Sequence, residues 1–299
     1  MATFGSKGFT FTKLHKIQAA AVGVLIVGTV VAAVQVTAPK PTTPLCEQRY
    51  TGGVLFSLSR ASGIPLQPED IQARLGGLDW GITTNTRIVK DEAVPYGYAM
   101  EISLKRVPDA GGDRSGMGFT WLPRQLATAS AACLSYSFWV PPDFRNGDGG
   151  TLPGFVSEPP NDSSGADSDD NTPPRPPAKP FSIRTQWSKE GRFQLAYSVN
   201  NGQTGQIVID SSKAHMKPGR WVRIEEEIVL NTPGRNDGIL RVYIDRQLMI
   251  ERMDVTYRVE DVQNIQGVVG DTHYARNGVW QPPPVNTQIK LSPLELRLR

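Results

Sequence analysis

A serine and an arginine stand two positions apart in the segment FSIRTQW, as Ser182 and Arg184. The segment is rich in β-branched and aromatic residues, which favours a strand. Side chains alternate between the two faces of a strand, so Ile183 points to one side and the hydroxyl and guanidinium groups point to the other. A guanidinium on such a surface can bind a carboxylate through two parallel hydrogen bonds. The alternative is an exposed polar pair on an ordinary strand.

Other side chains that could do chemistry are few. The histidines are His15, His215 and His273, and they are too scattered for a zinc site, so the sequence predicts no metal centre. His273 precedes Tyr274 in GDTHYARNGVW, an acid and base pair by residue type, although a single histidine in a polar loop is usually only solvated. Trp280 in the same segment can stack on a ligand ring or close the core.

The two cysteines, Cys46 and Cys133, are the other reactive groups. In an oxidising compartment they can form one disulfide that ties the start of the folded part to the β core. Spacing alone does not show proximity, so the alternative of two unrelated cysteines, one in a linker and one in a strand, stays open.

The elements that must position these groups are mostly strands. Alternating or β-branched runs, separated by turns of Gly, Pro, Asn and Asp, occupy residues 96–106, 132–140, 181–187, 193–199, 205–210, 220–230, 239–245 and 288–299. This rhythm predicts an all-β fold, a two-sheet sandwich or jelly roll. The apolar spacing between Leu66 and Leu75 predicts one short helix. Alternation drifts through three glutamates in 220–230, which predicts a bulge there.

The segment 158–180 contains almost no apolar residue and can bury no core, so it is predicted to be a disordered loop. It interrupts two strong β regions and is therefore an insertion within one domain. A solvated surface loop and a lid over a groove are the two interpretations of it.

An apolar run covers Ile17–Val36, about the 20 residues needed to cross a bilayer. Lysines in residues 1–16, with no acidic residue before Glu47, predict a cytoplasmic tail and translocation of the rest. The expected topology is a single-pass inner-membrane anchor, a Pro- and Thr-rich stalk at 37–45, and a periplasmic domain at 46–299. A cleaved signal peptide, which would leave a secreted protein, is the alternative.

Charge excludes one class of partner. Without the three lysines of the tail, the rest of the chain has equal numbers of basic and acidic residues. Nucleic-acid-binding proteins carry a basic field, and the sequence has neither such a field in its exported part nor a basic stripe with interleaved aromatic residues. We therefore expect no nucleic-acid partner.

Three stretches carry a resemblance when taken in order: LSYSFWVPPDFRNGDGGTLPGF at Leu134–Phe155, FSIRTQWSKEGRFQLAYSV at Phe181–Val199, and KPGRWVRIEEEIVLNTPGRNDGILRVYIDRQL at Lys217–Leu248. Together they resemble polysaccharide lyase family 14, which includes alginate and glucuronan lyases. The third stretch is the most specific, and it reads as two antiparallel strands joined by NTPGRNDG, with a structural role.

The resemblance implies a concanavalin A-like jelly-roll β-sandwich with a groove, and β-elimination on a uronic acid polymer. That reaction needs a donor or cation on the uronate carboxylate, a base for the C5 proton and an acid for the leaving oxygen, and it needs no cofactor. The family's Ser-x-Arg pair falls on Ser182 and Arg184. Of the family's Tyr-x-Tyr pair, which serves in proton transfer, only Tyr197 is present, and it is the remaining candidate for the acid or base. His273 and Trp280 lie where the family has a groove strand and a tryptophan.

One position departs from the family pattern. Thr151 stands in GGTLPGF where lyases of this family carry a catalytic lysine, and a threonine supplies a hydroxyl but no charge. The resemblance implies an acidic polysaccharide as the partner, and two functions are compatible with this partner. One is a membrane-tethered uronan lyase, and the other is a non-catalytic glycan-binding protein that assists synthesis or export of an exopolysaccharide.

Overall fold

A computed structural model describes residues 44–106, 114–157, 180–199, 202–259 and 264–299. Residues Leu45–Arg299 form one compact unit. Its described residues include three short α-helices: α1 (Cys46–Arg49), α2 (Pro68–Leu75) and α3 (Ile82–Asn85). The strands are β1 (Gly52–Phe56), β2 (Asp79–Trp80), β3 (Thr86–Lys90), β4 (Tyr98–Leu104), β5 (Gly118–Trp121), β6 (Ala131–Trp139), β7 (Gly149–Val156), β8 (Ser182–Ser188), β9 (Phe193–Val199), β10 (Gln203–Val208), β11 (Val222–Val229), β12 (Gly238–Ile244), β13 (Gln247–Val255), β14 (Gly267–Val269), β15 (His273–Arg276), β16 (Val279–Trp280), β17 (Thr287–Leu291) and β18 (Leu294–Leu298).

Within the described residues these strands make two antiparallel sheets of nine strands each. The front sheet has the order β10-β9-β8-β7-β14-β5-β2, and β15 pairs with β7 and with β16. The back sheet has the order β13-β12-β11-β6-β17-β4-β3, and β18 joins it between β6 and β1. The predicted all-β jelly-roll sandwich is confirmed.

One continuous apolar core fills the space between the sheets. Strand β6 of the back sheet contributes Leu134, Tyr136 and Phe138, and strands of the front sheet contribute Trp187 and Phe193. Phe138 and Phe193 meet edge to face across the sandwich, with ring centroids 5.5 Å apart. The alternation of apolar residues along each strand therefore decides which face carries the polar side chains.

The local predictions can now be compared with the elements. The helix predicted between Leu66 and Leu75 is present as α2, with Pro68 in its first turn and Gly76 in the left-handed conformation after its end. The strands on either side of NTPGRNDG pair as β11 and β12. The side chain of Asn231 holds this turn, because its amide donates to the carbonyl oxygens of Thr232, Arg235 and Arg258.

The bulge predicted within 220–230 is wrong. Strand β11 keeps continuous register with both β6 and β12. The three consecutive glutamates are buried and stay in register because each faces polar partners: Glu226 points into the sandwich toward Thr185, while Glu225 and Glu227 point outward toward arginines. A buried carboxyl group with hydrogen-bond donors beside it can occupy an interior strand position that the sequence pattern reserves for an apolar residue.

The outward face of β11 and β6 is covered by α1. Cys46 of α1 and Cys133 of β6 form a disulfide with their Cα atoms 6.1 Å apart. The two cysteines are therefore paired and not unrelated. Beside it, Glu227 accepts hydrogen bonds from Arg49 at 2.6 Å and from the Tyr50 hydroxyl at 2.5 Å. The segment that follows residue 44 is thus fixed covalently and by a buried ion pair.

Two sequence predictions fall outside these residues. The apolar run Ile17–Val36 is not described, and no helix in the described part of the chain is long and apolar enough to cross a membrane. The segment 158–180 is also outside, apart from Pro180. The anchor and the disordered loop therefore stay predictions.

Candidate functional site

Ser182 and Arg184 share the outer face of the front sheet, the face that points away from the back sheet. Between and beyond them on β8, Ile183, Thr185 and Trp187 are at most 1% exposed and lie in the interior. The guanidinium side chain of Arg184 is 25% exposed. The common surface predicted for the serine and the arginine is therefore present, and it is accessible to solvent.

Arg184 is held by an ion pair with Asp271, which lies just before β15. Its Nη1 atom lies 2.6 Å from the Asp271 Oδ2 atom, and the Asp271 side chain is 21% exposed. Within the described residues this is the only hydrogen bond of the guanidinium, which leaves further N–H donors for a ligand. The carboxylate orients the arginine and uses only one of its five N–H donors.

A glycine makes room for this pair. A Cβ atom at Gly118 would lie 2.4 Å from Oδ1 of Asp271 and 2.1 Å from the indole nitrogen of Trp80, so no other residue fits there without movement. Strand β5 thus lets a tryptophan and an aspartate approach the sheet closely.

His273 lies on β15, directly opposite Thr151 of β7. The expectation of a solvated loop histidine is wrong: the residue is 8% exposed, and its ring packs 5.5 Å from that of Trp80. Burial lowers the pKa of His273, and nearby Arg184 lowers it further, while the carbonyl of Tyr274 and the charge of Asp271 act in the opposite direction. The ring is therefore neutral near pH 7.

The neutral ring has one defined tautomer. Its Nδ1 atom lies 2.9 Å from the Tyr274 carbonyl oxygen, which only accepts, so Nδ1 carries the proton and Nε2 is left as an acceptor. Tyr274 itself is not its acid or base partner, because the phenol is on the interior side and its hydroxyl donates to the carbonyl of Arg145.

Thr151 lies between Gln186 of β8 and His273 of β15 on the same outer face. It is 3% exposed, and its hydroxyl has no hydrogen-bond partner among the described residues. The position that the resemblance assigns to a catalytic lysine therefore holds a buried hydroxyl and no charge. Register between β7 and β8 shifts immediately after it, between Thr151 and Gly154.

A buried glutamate supports this irregular stretch from behind, and the sequence analysis did not identify it. Glu226 of the back sheet accepts hydrogen bonds from the backbone N–H of Thr185, at 2.9 Å, and from the Thr185 hydroxyl. Nearby, the Tyr136 hydroxyl donates to the carbonyl of Pro153 at 3.1 Å. Burial raises the pKa of Glu226 to about 8, against the lowering effect of the Thr185 donors and of Arg184. The run of three glutamates in a strand was the only sequence signal for it.

Tyr197 does not join the site, and its assignment beside Ser182 and Arg184 is corrected. It lies opposite Ile183, and its neighbours Phe193 and Leu195 at spacing two are interior residues. Its ring faces the space between the sheets because the side-chain period of a strand is two.

The outer-face positions of β9 are instead Ala196, opposite Arg184, and Ser198, opposite Ser182. A Tyr-x-Tyr pair that faced the groove from β9 would have to occupy these two positions. The described part of this strand therefore offers no phenol to the outer face.

Trp280 lies on β16, opposite Ala275 of β15. Its indole N–H donates to the carbonyl of Ser115 at 3.0 Å. The polar edge of the ring is thus committed to the protein backbone, and Trp280 secures the β15–β16 hairpin at the end of the site. The structure brings together Ser182, Arg184, Thr151 and His273, and it adds Asp271 and Trp80.

In the described chain, one group of possible metal ligands lies close together: Cys46, Cys133 and Glu225. Both sulfur atoms belong to the disulfide and are not thiolates, so this group lacks the donors of a metal site. It is also on the back sheet, away from Arg184.

Comparison with known structures relates this fold to alginate lyases. The chain is 19% identical to the PL-14 alginate lyase of Aplysia kurodai, with a TM-score of 0.60 over 83% of this chain and 100% of that one. It is 16% identical to the alginate lyase vAL-1 of a Chlorella virus, with a TM-score of 0.55 over 72% and 89% of the two chains. It is 17% identical to alginate lyase Aly36B, solved with an alginate trisaccharide, with a TM-score of 0.56 over 83% and 97%.

At these identities the structures show a common fold. No match was found among curated protein sequences. The model of the family Polysaccharide lyase 14 matches residues 97–289, more than half of the chain, and this range includes the strands that carry Thr151, Ser182, Arg184 and His273. The chain therefore belongs to the polysaccharide lyase 14 family.

Proposed function

We propose that this protein binds an acidic polysaccharide on the outer face of its front sheet, with Arg184 as the group that holds a sugar carboxylate. The observation that carries the proposal is the state of Arg184: partly exposed, oriented by Asp271 at 2.6 Å, and with N–H donors left over. A preformed guanidinium next to the hydroxyl of Ser182 matches the planar geometry of a uronate carboxylate.

Binding without cleavage is the favoured form of this function. β-Elimination needs a proton acceptor and a proton donor at the sugar in addition to neutralisation of its carboxylate. The position of the family's lysine is Thr151, and the outer-face positions on β9 beside the arginine and serine are Ala196 and Ser198. At these positions of β7 and β9, a ligand held at Arg184 therefore meets only small, uncharged side chains.

Slow lyase activity is the second candidate function, and His273 favours it. The ring is neutral near pH 7 with Nε2 as an acceptor, on the same face as Arg184, which is the form a general base requires.

Substitution of the arginine tests the binding site. Arg184→Ala should weaken binding of polyglucuronate or alginate by a factor of about 10 to 100, because a charge-assisted hydrogen bond contributes about 1.5–3 kcal/mol. Arg252→Ala on β13 is the matched control, since Arg252 also pairs with a carboxylate, that of Asp254 at 3.0 Å, but belongs to the back sheet. Equal affinities of the Arg184 variant and the wild type would refute the site.

The same samples separate binding from cleavage. β-Elimination creates a conjugated unsaturated end, so ultraviolet absorbance follows it directly. We expect stable binding with no rise in absorbance. A rise that is abolished by His273→Ala would instead establish the lyase alternative.

We also propose that residues 17–36 anchor the protein in an inner membrane, with the domain in the periplasm, where it assists synthesis or export of an exopolysaccharide. The support is the uncharged run preceded by lysines, together with the disulfide of Cys46 and Cys133, which suits an oxidising compartment. A reporter fused after Arg299 should be active in the periplasm, and the protein should sediment with membranes. Recovery of a soluble form that lacks the first 35 or so residues would favour a cleaved signal.

A further inference from the structure

Three glutamines lie side by side on the outer face of the front sheet. Gln186 of β8 and Gln194 of β9 are directly opposite each other, and Gln206 of β10 is opposite Ala196. They share the outer face because their strand neighbours, such as Thr185 and Leu195, are interior residues. We call these three residues the amide cluster.

The amide cluster is hydrogen-bonded internally but not saturated. The Oε1 atom of Gln186 accepts from Nε2 of Gln194 at 3.3 Å and from Nε2 of Gln206 at 3.1 Å. Within the described residues, the Gln186 amide nitrogen and the oxygens of the other two glutamines make no hydrogen bond. A fixed donor beside fixed acceptors can pair with the vicinal hydroxyl groups of a sugar, each of which both donates and accepts.

A small residue makes the cluster possible. Ala196 lies between Arg184 and Gln206 in the paired strands, opposite both. Since its side chain is a single methyl group, the Gln206 amide can extend across it and reach Gln186. A larger side chain at this outer-face position would occupy the space that the Gln206 amide crosses.

The cluster lines a polar pocket of about 330 Å³, near the lower end of the range for small-ligand sites. The charged residues of the pocket lining are Asp148, Lys189, Glu190 and Arg276, two acidic and two basic, so the pocket is formally neutral. The Nη1 atom of Arg276 lies 3.7 Å from the Oδ2 atom of Asp148. A neutral polar pocket favours a ligand rich in hydroxyl groups over a second carboxylate.

The pocket adjoins the carboxylate site. Gln186 follows Arg184 by two residues on the same face of β8, which places the two side chains about 7 Å apart along the strand. Neighbouring units of one polysaccharide can therefore occupy Arg184 and the pocket together.

We propose that the amide cluster is a subsite for a neutral sugar unit, and that the preferred ligand is a heteropolysaccharide in which an acidic unit adjoins neutral ones. The inference rests on the proposed binding function, since it needs the acidic unit at Arg184. The inference specifies the class of polymer: an acidic unit would bind at Arg184 and a neutral unit at the amide cluster. A polyuronate would instead place a carboxylate at both sites.

The test compares two probes with the full-length protein in mild detergent. One probe is polyglucuronate, and the other is deacylated gellan, whose repeat carries a single glucuronate among neutral sugars. The variants are Gln206→Ala, Arg184→Ala and, as a matched control, Gln247→Ala, an exposed glutamine on the back sheet. Circular dichroism and thermal melting verify that each variant is folded.

We expect tighter binding of gellan than of polyglucuronate by the wild type. Gln206→Ala should weaken gellan binding about tenfold, since it removes hydrogen bonds between an uncharged amide and the hydroxyl groups of the neutral sugar. It should change polyglucuronate binding less than about twofold. Arg184→Ala should weaken both, and Gln247→Ala neither.

The failures of the two proposals differ. If polyglucuronate binds through Arg184 but is preferred over gellan, or if Gln206→Ala leaves gellan binding unchanged, the neutral subsite is refuted and the carboxylate site stands. If Arg184→Ala changes the binding of neither polymer, or the wild type binds neither, the proposed function fails and the subsite fails with it.

Discussion

Glu226 offers a quantitative test of the buried support behind the site. Its carboxyl group is fully buried, one oxygen accepts both donors of Thr185, and the other has no hydrogen-bond partner among the described residues. Burial raises its pKa from 4.5 to about 8, so the group is protonated at neutral pH. Glu226→Gln keeps the shape and the acceptor while removing the titration.

The sign and size follow from proton linkage. A group whose folded pKa is raised contributes stability that is complete below the unfolded pKa of 4.5 and is lost as the pH rises through about 8. Each pH unit inside this window removes about 1.36 kcal/mol from the free energy of unfolding. From about pH 5.5 to about pH 7.5 the wild type should therefore lose about 2.7 kcal/mol relative to the variant.

The difference in stability between Glu226→Gln and the wild type at low pH follows from hydrogen bonding. The glutamine brings one more N–H than the protonated acid into a place without a partner, which costs about 1 kcal/mol. We expect Glu226→Gln to be about 1 kcal/mol less stable than the wild type at about pH 5.5 and more stable at about pH 7.5, so that the two curves cross.

Urea denaturation followed by tryptophan fluorescence at several pH values measures this difference. Glu69→Gln is the control, because it makes the same substitution at an exposed position of α2. A difference between Glu226→Gln and the wild type that stays constant across the pH range would refute the reasoning. The carboxylate would then be charged throughout and held by Thr185.

Three further predictions concern the disulfide and the site. Replacing both Cys46 and Cys133 by alanine should lower the free energy of unfolding by about 4.6 kcal/mol, since the bridge closes a loop with a sequence separation of 87, and an unchanged urea midpoint would contradict this. Thr151→Lys should tighten polyglucuronate binding in a salt-dependent way. It should give no unsaturated product, because no tyrosine on β9 faces the outer surface to transfer a proton. Turnover detected by ultraviolet absorbance would show that the lysine alone restores β-elimination. The imidazole of His273 should titrate below its usual pKa of 6.5 by NMR, and a midpoint above that value would mean that its burial is overcome by Asp271.

Much of the fold was predictable because it depends on local patterns. Alternation of apolar and polar residues located the strands, and a proline in the first turn with a glycine after the last marked α2. The same two-residue period placed Ser182 and Arg184 on one face without knowledge of their neighbours. The motif order in the sequence pointed to the family, which the match over residues 97–289 establishes.

The partners of the site residues were decided by tertiary structure alone. Asp271 is far from Arg184 in sequence, and Glu226 reaches Thr185 only because the two sheets stack face to face. Tyr197 was assigned from its proximity in sequence, whereas the pairing of β8 with β9 turns it inward and places Ala196 beside the arginine. A shift of one residue reverses the face of every side chain on a strand, and register is fixed by contacts across the sheet that no local pattern contains.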